Sequence, residues 1–76
     1  MPKLPAVSAK KFCKFLEVCG CRFDGIEGDH YVYRKEGLMR PIVVPAWKEL
    51  PMFIVLGNLR TLGVSRDEFI RRLKKI

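Results

Sequence analysis

The 76-residue sequence has one histidine, three cysteines and eight acidic residues, and these low counts argue against several kinds of site. Cys13, Cys19 and Cys21 lack the spacing of zinc ligands such as Cys-x2-Cys, so we expect reduced, partly buried thiols. The acidic residues form no sequence cluster that would hold a metal ion. No apolar run approaches the roughly 18 residues of a membrane-spanning helix. We therefore expect no metal site, no cofactor and no membrane-spanning segment.

Positive charge is what the sequence has in excess. Fifteen Lys and Arg residues against eight Asp and Glu residues give a net charge of +7, which favours an anionic partner. The opening residues Met1-Pro2-Lys3-Leu4-Pro5 lead directly into a polar helix start and do not resemble a signal peptide, so we expect a cytoplasmic protein. Residues 1–76 are too few for two domains, and we expect a single domain over the whole range.

Three segments have the apolar spacing of amphipathic helices. The first follows Ser8, a good N-cap residue, and ends at Gly20. The second begins at Pro51 and ends at Gly63, and the third begins with a capping box at Ser65. The predicted apolar stripes are Phe12, Phe15, Leu16 and Cys19 in the first helix, Met52, Val55, Leu56, Leu59 and Leu62 in the second, and Phe69, Ile70, Leu73 and Ile76 in the third. Phe53 and Ile54 are predicted as further core residues; if exposed, they would form a docking patch.

Three short strands are predicted between the first two helices, at Cys21 to Glu27, Asp29 to Lys35 and Arg40 to Val44. Their short connections favour an antiparallel meander that ends at Pro45. The predicted order is α-β-β-β-α-α. This is an α+β fold in which helices cover one face of a three-stranded antiparallel sheet, similar in outline to double-stranded RNA-binding domains.

His30 lies at the start of the second predicted strand, directly after Gly28 and Asp29. Histidine is the side chain whose unperturbed pKa lies near neutrality, so His30 is the candidate for proton transfer, although a histidine without a function is the alternative. RNA carries its own nucleophile in the 2′-OH, and one imidazole could act there as general acid or base. Strand alternation places His30 and Arg34 on one face, where Arg34 could bind a phosphate. By the same alternation, Asp29 is expected to point away and not to orient the imidazole.

Basic and aromatic residues elsewhere in the chain could contact RNA. Trp47 could stack on an unpaired base, whereas Tyr31 and Tyr33 are expected to pack within the sheet. The full set of candidates for RNA contact is Lys10, Lys11, Gly28, Arg34, Lys35, Arg40, Trp47, Lys48 and Arg60. These residues are spread along the chain, so only the fold can bring them into one patch.

Four segments together resemble the HicA (YcfA-like) family of mRNA interferase toxins. They are the opening Pro2-Lys3-Leu4-Pro5-x-Val7-Ser8-x-Lys10, then Gly28-x-His30, then Ile42-Val43-Val44-Pro45, and finally Leu59-Arg60-x-Leu62-Gly63-Val64-Ser65-Arg66-Asp67-Glu68-Phe69. The resemblance implies a fold like that of double-stranded RNA-binding domains and an endoribonuclease that cleaves mRNA. It also implies a catalytic histidine at His30 and a HicB-type antitoxin that covers the active face.

Two functional hypotheses remain open at this point. The first is a metal-independent endoribonuclease toxin that uses His30, and the second is a non-catalytic module that binds RNA or a protein on the same scaffold. His30 after Gly28 favours the first. The second is favoured by Trp47, which stands where family members commonly have a histidine, and by Phe53-Ile54-Val55-Leu56 in place of Gly-Thr-Leu-Arg.

Overall fold

The chain order of the elements confirms the predicted α-β-β-β-α-α arrangement. The computed structural model describes residues 6–76, and the family-like segment before residue 6 lies outside the described residues. The elements are α1 (Ala9–Val18), β1 (Arg22–Glu27), β2 (His30–Arg34), β3 (Ile42–Pro45), α2 (Met52–Leu62) and α3 (Arg66–Leu73). The strands form one sheet in the order β1-β2-β3, and both pairs are antiparallel. The predicted α+β fold class is therefore correct.

Local capping interactions explain where two of the helices begin. The side chain of Ser8 accepts a hydrogen bond from the backbone N–H of Lys11, at 3.1 Å, and so satisfies one of the unpaired donors at the start of α1. Ser65 accepts in the same way from the N–H of Glu68, at 3.1 Å, at the start of α3. Both N-caps agree with the sequence prediction.

The centre of the core is a cluster of three phenylalanines from α1 and α3. Phe12, Phe15 and Phe69 are fully buried. The rings of Phe15 and Phe69 meet edge to face with their centroids 4.7 Å apart, and Phe12 lies 5.8 Å from Phe69. This is a favourable geometry for aromatic rings. The last helix is therefore part of the core and not an appendage to it.

The sheet has one covered face and one open face. Tyr33, Ile42 and Val44 are buried in the same cluster as the core residues of all three helices, so the helices cover that face. Strand alternation places His30, Val32 and Arg34 on the opposite face. We call it the open face because His30 and Arg34 are accessible there, although Val32 between them is buried. The register sets Arg34 opposite Arg22 of β1 and His30 opposite Pro45 of β3. The predicted shared face of His30 and Arg34 follows from this register.

The second helix differs from its prediction at its first turn. Val55 and Leu59 are buried as expected, but Met52 and Phe53 are 53% and 72% exposed. Phe53 precedes Val55 by two residues, which is about 200° around an α-helix, so its side chain projects away from the core. The prediction that Phe53 is a core residue is therefore wrong. Further along the helix, Asn58 donates a hydrogen bond of 3.3 Å to the backbone carbonyl of Val43, which ties α2 to strand β3 at the edge of the sheet.

Candidate functional site

A two-residue turn between β1 and β2 places His30 at the end of the sheet. Glu27 and His30 are partners in the strand register, which leaves Gly28 and Asp29 as the connection. Gly28 has a φ of 62°, and no residue other than glycine has a positive φ among those described. A glycine with positive φ at the first central position is typical of the type II′ turns that close hairpins. Gly28 therefore has a structural reason to precede His30, independent of any contact with RNA.

The side chain of Asp29 contacts the ring of His30, contrary to the prediction from strand alternation. His30 Nδ1 lies 2.8 Å from Asp29 Oδ1. Alternation does not apply because Asp29 belongs to the turn, where the backbone changes direction before β2 begins. A carboxylate can only accept a hydrogen bond, so this contact places a proton on Nδ1 and leaves Nε2 of the neutral ring as an acceptor. The side chains of His30 and Asp29 are 42% and 71% exposed, so the site is open to a ligand.

The loop after β3 runs beside the histidine. Pro45 is the register partner of His30, and the N–H of Ala46 donates to the carbonyl of Asp29 at 2.8 Å. One residue later, the carbonyl of Trp47 accepts a hydrogen bond of 3.1 Å from the N–H of Ala9, the first residue of α1. These bonds bring the turn, the loop and the start of α1 to one end of the molecule, which we call the histidine end.

Five of the predicted RNA-binding residues belong to the histidine end. The Trp47 side chain is 45% exposed there, which is compatible with stacking on a base. The three lysines of this end are also exposed. The five predicted residues at the histidine end are Lys10, Lys11, Gly28, Trp47 and Lys48.

Three other predicted residues lie at the opposite end of the sheet. Arg34 follows His30 by four residues, which is about 13 Å of strand, so the two cannot contact the same phosphate oxygen. A cavity of about 330 Å³, which we call the arginine pocket, is lined by the predicted residues Arg34, Lys35 and Arg40. Arg22, which was not among the predicted residues, lines it as well. Its lining residues are Arg22, Arg34, Lys35, Glu36, Gly37, Leu38 and Arg40. Arg60 is exposed on α2 and lines neither this pocket nor the histidine end.

Comparison with protein families decides what kind of chain this is. Residues 9–64 match the family model described as the HicA toxin of bacterial toxin-antitoxin systems. The match runs from the first residue of α1 to the loop before α3, and it includes the whole sheet and His30. This chain belongs to the HicA toxin family. Neither curated proteins nor solved structures gave a match to it.

Membership of the HicA family has a direct consequence for partners. The toxin of a toxin–antitoxin system is paired with an antitoxin, so membership of the HicA family implies an antitoxin partner for this chain. None of the helices in residues 6–76 is long and apolar enough to cross a membrane. Those same residues contain no group of three or more His, Cys, Asp and Glu side chains placed to hold a metal ion.

The three cysteines of this HicA-family chain belong to its buried core. Cys13, Cys19 and Cys21 are all buried free thiols, as the sequence predicted. Burial raises the pKa of Cys13 and of Cys21, because the thiolate would lose its hydration. Since the thiolate is the reactive form, neither side chain suits a nucleophile, and His30 remains the candidate for chemistry.

Proposed function

We propose that this HicA-family protein is an endoribonuclease that cleaves mRNA without a metal ion, with His30 as general acid and base. The observation that carries the proposal is the Asp29–His30 contact at the tip of the sheet. It holds the ring through Nδ1 and leaves Nε2 as a free acceptor on an exposed surface. An exposed proton acceptor can activate RNA, because the 2′-OH of RNA is itself the nucleophile and needs only to lose its proton.

The reaction needs no nucleophile from the protein, and His30 supplies the proton transfers. His30 Nε2 takes the proton of the 2′-OH as the 2′-oxygen bonds to the neighbouring phosphorus. The bond from phosphorus to the 5′-oxygen then breaks, and the imidazolium returns the proton to that oxygen. The products are a 2′,3′-cyclic phosphate and a 5′-hydroxyl. Such catalysis contributes about 10²–10⁴-fold, which is enough for a slow enzyme.

Positive charge near His30 supports the proposal, since charge builds up on the phosphorane. Lys48 is exposed in the loop that follows Pro45, the register partner of His30. Lys10 and Lys11 are exposed in the first turn of α1, which is bonded to the same loop. Fixed cations beside a developing negative charge stabilise the transition state. We assign this role first to Lys48.

The second candidate function is a non-catalytic RNA- or protein-binding module. It is favoured by the exposed apolar side chains of Trp47, Met52 and Phe53, which lie in the loop before α2 and in its first turn. Exposed apolar groups of this size are typical of interaction surfaces. A HicB-type antitoxin that covers the open face agrees with both candidates, and in the first it would block access to His30. Since mRNA is the proposed substrate, we expect the protein to act in the cytoplasm.

The deciding experiment compares the purified protein with His30→Ala on single-stranded RNA in EDTA. Lys74→Ala, an exposed substitution at the end of α3, is the matched control for surface change. We expect the wild type and the control to cleave and to leave 2′,3′-cyclic phosphate ends, and His30→Ala to be slower by about 10²–10⁴-fold. Circular dichroism must show that all three proteins are folded.

Two outcomes would contradict the proposal. Intact RNA with every protein favours the non-catalytic module. Cleavage that continues in His30→Ala assigns the chemistry to another group or to a contaminating nuclease.

For the non-catalytic module, the salt dependence of RNA binding decides whether its partner is RNA or a protein. If the partner is RNA, affinity falls with salt by a log–log slope of about 0.7 per phosphate contact, whereas a flat response points to a protein.

A further inference from the structure

The arginine pocket carries positive charge that the protein itself does not neutralise. Four cationic side chains line it and only one acidic side chain, Glu36, does. Arg22 and Arg34 are direct partners in the strand register, and like charges in that position are destabilising. Asp24 compensates for one of them, since its Oδ2 lies 2.5 Å from Arg34 Nε. None of the ion pairs within residues 6–76 involves Arg22, Lys35 or Arg40.

The chemistry of the pocket selects a phosphate. Guanidinium groups bind phosphate oxygens through two parallel hydrogen bonds, and three arginines converge on this cavity. An anion between Arg22 and Arg34 would also remove their mutual repulsion. The pocket therefore has both the geometry and the energetic reason to bind a phosphate group.

The position of the pocket relates that phosphate to the proposed substrate. Arg34 and His30 lie on the same face of β2, about 13 Å apart along the strand. Val32 lies between them on that face, and its partner on β1 is Gly25, beside which an added Cβ would meet no atom within 4 Å. Gly25 therefore places no side chain beside Val32, and on the other flank the register partner of Val32 is Val43, so the residues beside Val32 in both neighbouring strands are uncharged.

We propose that the arginine pocket binds a backbone phosphate of the RNA, several nucleotides away from the bond that is cleaved at His30. This inference rests on the proposed function. At the roughly 3.4 Å rise of a stacked strand, 13 Å corresponds to about four nucleotides, and an extended strand needs fewer. The RNA strand then lies along β2, and an RNA long enough to reach the pocket binds more tightly than a shorter one, which is still cleaved at His30.

The test compares a dinucleotide, which has only the scissile phosphate, with a single-stranded RNA of twelve nucleotides. Arg22→Ala and Arg40→Ala should raise the KM for the longer RNA about tenfold, the effect of losing one charge-assisted hydrogen bond, and leave kcat unchanged. Neither should change the cleavage of the dinucleotide. Asp24→Asn should lower the KM for the longer RNA, because it removes a carboxylate beside the pocket. Lys74→Ala removes one positive charge elsewhere and serves as the control.

Binding of the labelled twelve-nucleotide RNA is measured in parallel in the His30→Ala background, so that the result does not depend on cleavage. If Arg22→Ala weakens this binding while the wild type cleaves nothing, the phosphate site stands and the proposed function fails. If cleavage requires His30 but Arg22→Ala and Lys74→Ala behave alike, the phosphate site is wrong and the proposed function stands. An Arg22→Ala defect confined to binding of the antitoxin would overturn the inference as well, because the pocket would then serve an acidic protein.

Discussion

The exposed fractions of the Asp29 and His30 side chains determine how much their contact can contribute to kcat. We consider the substitution Asp29→Asn, which removes the charge and keeps a side chain of the same shape. Both partners of the contact are largely exposed, at 71% and 42%, and ion pairs in such surroundings contribute only about 0.2–1 kcal/mol. That range corresponds to a factor of about 1.4 to 5 in rate. Asp29→Asn should therefore lower kcat by no more than about fivefold.

The same substitution should also lower KM. A phosphate oxygen held at His30 Nε2 would lie about 7–8 Å from the Asp29 oxygen that contacts Nδ1, a repulsion of about 0.6 kcal/mol in water or about two- to threefold in binding. The expected signature is a parallel fall in kcat and KM with little change in kcat/KM. It is measured by steady-state cleavage of a fluorogenic RNA at low salt, with Asp67→Asn at the exposed start of α3 as the matched control.

A loss of 100-fold or more in kcat for Asp29→Asn would refute this reasoning. The carboxylate of a buried catalytic triad contributes about 10⁴-fold because it fixes the tautomer of its histidine in a site that excludes water. An effect of that size would mean that substrate binding buries Asp29. Unchanged kcat and KM would show instead that the contact has no part in the reaction.

Three further predictions concern the fold. Phe69→Ala removes the fully buried ring that packs on Phe15 and should lower the free energy of unfolding, measured in urea, by about 3–5 kcal/mol. That is a large part of the roughly 4–11 kcal/mol expected for a domain of this size. A loss below about 1 kcal/mol would contradict the observed core. Phe53→Ser changes a side chain that is 72% exposed, so the free energy of unfolding in urea should stay within about 0.5 kcal/mol of the wild-type value. Burial raises the pKa of Cys13 and that of Tyr33 in the folded state, so the unfolded chain releases these protons first and stability should fall as pH rises above about 9. Urea midpoints under reducing conditions between pH 8 and 11 test this, and Tyr33→Phe should flatten the decline.

Sequence patterns predicted the elements because each has a local cause. Ser8 and Ser65 cap their helices through their own side chains, and Gly28 allows the turn that starts β2. Phe53 was wrongly predicted as a core residue because its apolar character does not show which side of a short helix faces the core. The buried position of Val55 in the structure shows that Phe53 lies on the other side. The Asp29–His30 contact was missed because the alternation rule was applied to a residue of the turn.

The candidate site was predicted only in part, since it depends on register. Arg34, Lys35 and Arg40 surround one hairpin, and their proximity could be inferred from the turn between β2 and β3. Alternation alone would not have added Arg22, because it places Arg22 on the face opposite to Glu27, the register partner of His30. Its position directly opposite Arg34 required the irregularity in pairing between Phe23 and Gly25, which no simple pattern in the sequence indicates.

The separation between His30 and the arginine pocket predicts two distinct kinds of inhibition by an antitoxin. Binding energy gained from a remote phosphate is present in both the ground state and the transition state, so it lowers KM and leaves the chemical step unchanged. An antitoxin segment that occupies only the arginine pocket would therefore compete with long RNA, and raising the RNA concentration would overcome this inhibition. Such a segment would not affect the cleavage of a dinucleotide. A segment that covers His30 would abolish the cleavage of both substrates. Dinucleotide cleavage in the presence of the antitoxin therefore shows which end of the open face is covered.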